Sequence, residues 1–311
     1  MTKKSLYRIR NWKEYNASLV TRGSLTIWMS DDVQKGWLYQ GSQQQGHPIV
    51  FSDDAIVTAL TIRAVYRLPL RQTEGFLLSI FDLLQSDLPV PDYSTLSKRG
   101  KDLNIDLCRK GNNEPIHLVI DSSGLKVYGE GEWKVKMHGK SKRRAWRKIH
   151  LGINAFTGEV EAEELTEAFA KDAKHVAPLL AQIEEPIDLA ALDGAYDWHG
   201  VHALFAERKT KALIPPRKNA KITKHGNATG PPLPRDEIVR SIRKTSRSGW
   251  KKRSGYHMRS LAETAMYRQK AIFGSSLRNR TFENQKTEFS IRCRAMNVMT
   301  HLGMPKSEKV T

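Results

Sequence analysis

The chain has 311 residues, 39% of them hydrophobic, so it is long enough for one large domain with a smaller one and too apolar to be disordered. Lysine and arginine number 51 against 33 acidic residues, and the net charge of +18 predicts a polyanionic partner, nucleic acid rather than membrane. No apolar stretch approaches the roughly 20 residues that span a bilayer, and the basic start lacks the apolar core of a secretory signal.

Residues 1–112 are predicted to be mostly helical. Ser52 is typical of a helix N-cap, Pro69 interrupts the helix that follows, Thr73 starts a second helix and Ser94 a third. Basic residues after the third helix suit a helix-turn-helix-like DNA reader. A helical cap that only packs on its neighbour fits equally well, because no base-contacting residue can be identified.

The middle of the chain is predicted to form a mixed sheet flanked by helices, an α/β arrangement. β-rich runs at 116–121, 147–155 and 160–165 predict a three-stranded antiparallel meander. A helix, a strand, a second helix and a last strand follow, with the strands at 187–193 and 211–215. Polar residues rich in Lys, Gly and Pro then predict an exposed basic insertion at about 216–253.

A helix predicted after the insertion carries Tyr256, Arg259, Glu263 and Lys270 on one stripe, at roughly 100° per residue. The apolar residues on its opposite side are Met258, Leu261, Ala265 and Ile272. An ordinary surface helix would look the same, and Arg259 with Glu263 is an ordinary i,i+4 pair. A carboxylate between cations and a phenol also suits a metal ligand beside a phosphate backbone.

Asp121 and Asp193 each follow an apolar strand and precede small residues. Ligands of open α/β sheets bind in the crevice beyond the strand ends, although an aspartate there can simply cap a loop. Together with Glu263 these aspartates would supply the three carboxylates that two-metal phosphodiester chemistry uses. Mg²⁺ takes such hard oxygen ligands, and the chain has no His/Cys set of the kind that zinc favours.

Asp121, Asp193 in LDGAYD, and the run Tyr256-x₂-Arg259-x₃-Glu263-x₆-Lys270 resemble the Asp-Asp-Glu transposases of bacterial insertion sequences, especially the insertion sequence five family. The resemblance implies a ribonuclease-H-like catalytic domain over 113–275, after an N-terminal DNA-binding region (1–112) and before a basic helical tail (276–311). Asp121, Asp193 and Glu263 would be catalytic residues and ligands of Mg²⁺, with Mn²⁺ as the alternative. Tyr256, Arg259 and Lys270 would hold transposon-end DNA.

The implied activity is endonucleolytic cleavage at terminal inverted repeats followed by strand transfer. The implied partners are double-stranded transposon ends and target DNA, bound by a homodimer or higher oligomer. Two distant cysteines indicate a reducing compartment, here the bacterial cytoplasm. A nuclease with the same core but no transfer activity, and a DNA-binding regulator without catalysis, remain alternatives.

Two further basic runs are expected to bind DNA. Residues 134–150 predict a basic hairpin, in which Arg143 and Arg144 would grip phosphates and Trp146 would stack on an unpaired base, unless this tryptophan is buried. The second run, 240–253, includes Lys251, Lys252 and Arg253 and leads into the Glu263 helix.

Several polar residues are expected to have structural roles. Asp197 is predicted to cap the helix that starts at Trp198. Ser122 lacks an assignable histidine and is no convincing nucleophile. His150 and His199 could transfer protons, but a structural role is favoured. Four glutamates are expected to form the solvated face of a strand: Glu159, Glu161, Glu163 and Glu164.

Overall fold

The protein is described by a computed structural model over residues 6–42, 46, 48–111, 114–127, 146–225 and 229–310. Its helices are α1 (Trp12–Thr21), α2 (Asp31–Lys35), α3 (Asp53–Val65), α4 (Leu70–Leu83), α5 (Tyr93–Arg99), α6 (Val176–Leu180), α7 (His199–Glu207), α8 (Pro234–Lys244), α9 (Arg247–Ser254), α10 (Ser260–Phe273) and α11 (Phe282–Leu302). Its strands are β1 (Leu6–Ile9), β2 (Ile116–Val127), β3 (Trp146–Asn154), β4 (Val160–Glu167), β5 (Ile187–Leu192), β6 (Lys211–Leu213), β7 (Ser276–Leu277) and β8 (Ser307–Val310). Short 3₁₀ turns occupy Leu25–Ile27, Asp172–His175, Gly194–Tyr196 and Tyr256–Arg259. None of the helices in the described ranges is long and apolar enough to cross a membrane.

The chain divides into two compact units. The first combines Met1–Cys108 with Thr287–Thr311, and the second is Arg109–Lys286. The first unit is mainly helical, which confirms the prediction for the N-terminal region. It also contains a two-stranded antiparallel sheet of β1 and β8, in which Leu6 lies opposite Val310.

Capping residues explain where the N-terminal helices begin. Ser52 Oγ accepts a hydrogen bond of 3.1 Å from the Ala55 amide at the start of α3, as the sequence predicts. α4 begins directly after Pro69, three residues before the predicted start at Thr73. The cap of α5 is Asp92, whose carboxylate accepts the amides of the first turn. The local signals therefore locate these helices to within a few residues.

The second unit is built around a mixed sheet with the strand order β4-β3-β2-β5-β6, and β7 pairs with the far end of β2. β2, β3 and β4 form the predicted antiparallel meander, whereas β5 and β6 run parallel to β2. Helices flank this sheet. The fold is therefore the mixed α/β class that the sequence predicts, with the helix-flanked sheet that the resemblance to a ribonuclease-H-like domain implies.

The two faces of this sheet are covered by two separate apolar clusters. Alternate residues of β2 point to opposite faces. Leu118 and Ile120 pack with Tyr196 in one cluster, and Val119 packs with Trp250 in the other. Both faces of the sheet are thus buried around β2, which lies at the centre of the unit's core.

The segment at 216–253 is less exposed than its composition suggests. Its helices α8 and α9 bury Ile238 and Trp250 in the apolar cluster on one face of the sheet, and Val239 is buried as well. Many Lys and Arg residues surround these three apolar residues in the sequence, so composition alone hides their burial. The predicted exposure is therefore wrong for this part of the segment.

The predicted solvated face of β4 is also wrong in part. Glu159 and Glu161 are buried, whereas Glu163 and Glu164 are half-exposed. Glu161 accepts a hydrogen bond of 2.9 Å from Asn154 and lies 3.5 Å from the Arg109 guanidinium. These partners compensate the burial of a charge, although burial still raises the pKa of Glu161 above its usual value.

Candidate active site

Two neighbouring parallel strands carry Asp121 and Asp193 to one place. In the pairing of β2 with β5, Ile120 lies opposite Leu192. The residue that follows each of these two is an aspartate, Asp121 and Asp193. β2 continues for six residues past Asp121 to Val127, whereas β5 ends at Leu192. Because adjacent strands lie about 4.8 Å apart, backbone register alone brings the two carboxylates together.

The Asp121 carboxylate lies partly buried at this point. Its Oδ1 accepts a hydrogen bond of 2.9 Å from the Ser122 amide, and its Oδ2 accepts one of 3.1 Å from Arg259. Burial raises the pKa of Asp121, and the nearby charges of Asp193 and Glu263 raise it further. The two hydrogen bonds oppose this increase without cancelling it. The negative charge of Asp121 would therefore be stabilised by a further cation.

Asp193 is anchored by the turn that follows it. Its Oδ1 accepts a hydrogen bond of 2.8 Å from the Ala195 amide and caps the 3₁₀ turn Gly194–Tyr196. The capping role that the sequence left open is therefore real. Oδ2 of Asp193 has no protein donor among the residues that the structure describes, so capping leaves one oxygen available to a ligand.

Glu263 comes from a different part of the chain. The segment from Tyr256 to Lys270 is not one helix, as predicted, because a 3₁₀ turn over Tyr256–Arg259 precedes α10. Gly255 lies between α9 and this turn with φ of 74°, a left-handed conformation that favours glycine. Glu263 lies in the first turn of α10 and is largely exposed.

Arg259 joins the carboxylates. Its guanidinium donates one hydrogen bond of 3.1 Å to Asp121 and another to Oε1 of Glu263. Burial alone would lower the pKa of Arg259, but the neighbouring carboxylates outweigh it and the pKa lies above its usual value. The i,i+4 pair expected on a surface helix is therefore part of a larger cluster that includes the sheet.

Tyr256 lies beneath this cluster rather than on an exposed stripe. Its side chain is 6% exposed, and its ring centroid is 5.7 Å from that of Trp250. Burial raises the pKa of Tyr256 to about 12, and the surrounding carboxylates add to the increase. The phenol therefore stays protonated and can donate a hydrogen bond.

The buried face of the segment also differs from the predicted one. Leu261, expected on the buried side, is exposed. Ala265 is buried as predicted, and the other buried residues of α10 are Ala262, Met266, Gln269 and Phe273. A 3₁₀ turn rotates by about 120° per residue instead of 100°. Residues in the turn and in α10 therefore face other sides of the segment than a single α-helix would give them.

Lys270 lies on α10 and reaches the same strand as Asp121. Its Nζ donates a hydrogen bond of 2.6 Å to Ser123 Oγ. Ser123 is two residues after Asp121 on β2 and points to the same face of the sheet. A second cation thus lies along β2, next to the one that Arg259 supplies.

The three carboxylates do not form a ready-made chelate. Across the described ranges, no group of three His, Cys, Asp or Glu side chains converges closely enough to hold an ion. The donor chemistry is nevertheless that of a hard divalent cation, because every candidate ligand is a carboxylate oxygen.

The sequence matches two family models, both described as a transposase DDE domain. One covers residues 20–130 and the other residues 112–298, which is more than half of the chain. The chain belongs to this transposase family. It is therefore a DDE-type transposase, an enzyme of DNA transposition. The special likeness to the insertion sequence five family stays a prediction.

Two solved transposase structures show weak similarity to the chain. A piggyBac transposase synaptic complex with hairpin DNA is 10% identical with a TM-score of 0.40, covering 90% of this chain and 73% of that one. A Drosophila P element transposase strand transfer complex is 11% identical with a TM-score of 0.32, covering 92% and 87%.

The other predicted DNA-binding residues of this transposase have different surroundings. Lys251 places Nζ 5.1 Å from the ring centroid of Tyr256. Lys252 and Arg253 are exposed, and Arg253 donates to Thr245. Trp146 is half-exposed and packs against Gly124, with Lys126 Nζ 5.8 Å from its ring. The predicted hairpin residues Arg143 and Arg144 lie outside the described residues.

Asp197 does not cap α7, contrary to the prediction. Its carboxylate is fully buried and forms an ion pair with Arg235 at 2.7 Å. Composition could not reveal this pair, because Arg235 lies 38 residues away in a basic segment. His150 has the expected structural role: it is buried, bonds Thr166 at 2.9 Å and stacks on His175. His199 is exposed on α7.

Proposed function

We propose that this transposase binds the inverted repeats at the ends of its own DNA element and then cleaves and transfers DNA strands through Asp121, Asp193 and Glu263. One observation carries the proposal. Arg259 bonds the carboxylates of Asp121 on β2 and Glu263 on α10, and the pairing of β2 with β5 places the Asp193 carboxylate beside that of Asp121. Because like-charged carboxylates repel, a cluster of them drawn from remote parts of the chain suits a site that binds cations.

Divalent ions fit the carboxylate cluster by its chemistry. The candidate ligands are oxygens, the raised pKa of Asp121 reflects unfavourable charge, and Oδ2 of Asp193 is open. Mg²⁺ keeps several waters and needs few protein carboxylates, so a loose cluster suffices, and Mn²⁺ is the alternative. Bound ions would activate the attacking water or 3′-hydroxyl and stabilise the leaving oxygen.

The protein's own cations would orient the DNA. Arg259 offers a planar guanidinium that fits a phosphate in the same way as it fits a carboxylate. Lys270 lies beside Ser123, along the strand that carries Asp121. Tyr256 keeps its phenolic proton and lies close to the carboxylates, so it can donate to a phosphate or sugar oxygen at the site.

A wider DNA surface would surround this centre. Lys251, Lys252 and Arg253 end α9, directly before the turn that carries Tyr256. Trp146, with Arg143 and Arg144 before it, follows the strand that carries Asp121. The helical N-terminal region (1–112) would read the terminal repeats. Joining two ends requires two active sites, which implies a homodimer or higher oligomer on DNA.

The test uses the purified protein and a linear duplex that contains the gene with its own flanking sequences. With Mg²⁺ or Mn²⁺ we expect cuts at both ends of the element, and none with EDTA. A 3′-hydroxyl donor end joined to plasmid DNA would demonstrate transfer, whereas cleavage without joining would indicate a nuclease. Binding without cleavage under every metal condition would support a regulator and contradict the proposal.

A further inference from the structure

Asp197 is the most completely bonded carboxylate near the active site. Its Oδ1 accepts a hydrogen bond of 2.7 Å from Arg235 Nε and lies 3.4 Å from His202 Nε2. Its Oδ2 accepts one of 3.1 Å from the second arm of the Arg235 guanidinium and another of 3.1 Å from the Arg217 amide. Burial alone would raise the pKa of Asp197, but these bonds more than offset it, so the pKa lies well below its usual range.

This ion pair joins two segments that are far apart in sequence. Asp197 lies four residues after Asp193, at the end of the turn that Asp193 caps. Arg235 lies in the first turn of α8, which continues through α9 into the turn of Arg259 and then to Glu263. The pair therefore connects the segment of one proposed metal ligand to the segment of another.

The segment that contains Arg235 has two further attachments. Next to Arg235, the buried Asp236 accepts hydrogen bonds from the amides of Thr223 and Lys224, at 3.1 and 2.7 Å. Further along, Trp250 packs in the apolar cluster that contains Val119. Arg235 is the residue among these that contacts the Asp193 turn directly.

We propose that Asp197 and Arg235 are positioning residues, which fix the distance between the Asp193 carboxylate and the segment that carries Arg259 and Glu263. The inference rests on the proposed function, because the separation of the carboxylates matters only for a shared ligand. A planar two-pronged guanidinium suits this role, since it fixes both distance and angle. The side chains of Arg235 and Asp197 are only 12% and 0% exposed, so we assign them to positioning and not to contact with DNA.

Amide hydrogen exchange tests the positioning without relying on catalysis. We compare Asp197→Asn and Arg235→Gln with Asp188→Asn, the same chemical change at an exposed site on β5. In the first two variants exchange should rise at least about tenfold over both 193–198 and 256–263. A rise confined to the neighbourhood of Arg235, with 256–263 unchanged, would overturn the proposal. If Arg235→Gln fails to fold, Arg235→Lys keeps the charge but loses the fork.

Cleavage rates with saturating DNA provide the second measurement. Either variant should lower the rate constant by about 100-fold, the effect of displacing reacting groups by about 1 Å. The affinity for DNA should change less than twofold. The double variant should be no slower than the slower single variant, because either change already breaks the pair. Multiplied losses in the double variant would contradict the pairing.

The two measurements separate the possible failures. A wild-type enzyme that cuts no flanking DNA, combined with the expected exchange pattern, would refute the proposed function and leave the positioning intact. Normal cleavage by both variants would overturn the positioning and leave the proposed function standing.

Discussion

The sheet and helix α10 position their carboxylates in the active site in different ways. Asp121 and Asp193 follow directly from the pairing of β2 with β5, because the register places one beside the other. Glu263 reaches them only after two inserted helices, and its segment is attached by the Asp197–Arg235 pair, by the Arg259–Asp121 bond and by the apolar cluster that contains Trp250 and Tyr256. Strand pairing depends on backbone hydrogen bonds and tolerates most side-chain changes, whereas the position of Glu263 depends on a few side chains. Substitutions far from the chemistry should therefore act mainly through the insertion.

The largest expected effect is the loss of a carboxylate. Asp121→Asn, Asp193→Asn and Glu263→Gln should each lower the rate of strand cleavage by more than about 10³-fold, because each removes charge that holds the ions. Thermal unfolding and end binding should stay near wild type. Glu184→Gln, at an exposed position, is the control. If Glu263→Gln cleaved flanking DNA at the wild-type rate, the assignment of α10 to the active site would be wrong.

Loss of a large core side chain compares the two faces of the sheet. Trp250→Ala and Phe205→Ala should each reduce the free energy of unfolding by about 3–5 kcal/mol, measured by urea denaturation. The milder Trp250→Phe should still slow cleavage, because Trp250 packs against Tyr256. Phe205→Leu lies on the opposite face and should affect stability alone. Equal effects of Trp250→Phe and Phe205→Leu on the cleavage rate would show that the face of the sheet packed against the 216–253 segment has no special role in cleavage.

The buried His150 allows a test of pH dependence on the sheet side. Burial, and next the adjacent His175, lower the pKa of His150 to about 4. Below a pH of about 6.5 the His150 imidazole binds a proton in the unfolded chain but stays neutral in the folded one. The free energy of unfolding therefore falls as the pH drops from about 6.5 to about 4. The slope should be about 1.4 kcal/mol per pH unit. Urea denaturation of His150→Gln should show a smaller slope, and the exposed His199→Gln an unchanged one.

The smallest effect concerns the basic end of the insertion. Lys251→Gln should weaken end binding and reduce the slope of log affinity against log salt by about 1, the loss of one phosphate contact. Lys171→Gln, an exposed lysine next to the sheet, should leave the slope unchanged. An unchanged slope in both variants would place DNA away from α9.

Local patterns were enough to predict much of this molecule. Apolar strands before Asp121 and Asp193, the cap at Ser52 and the meander all depend on neighbouring residues, and they appear where expected. The 256–270 segment shows the limit of such patterns. The spacing predicts one helix, but Gly255 and the 3₁₀ turn change its phase and bury Tyr256.

The sequence by itself determined the residue types of the candidate site, the succession of strands along the chain and the family. Each of these depends on local residue spacing or on a match between sequences. The tertiary structure decided what each polar residue contacts. Asp193 and Asp197 stand four residues apart in one motif, yet one keeps an open oxygen and the other is enclosed by Arg235, His202 and a backbone amide. Their difference arises from helix α8, whose position depends on packing between residues distant in the chain, and no local pattern contains that information.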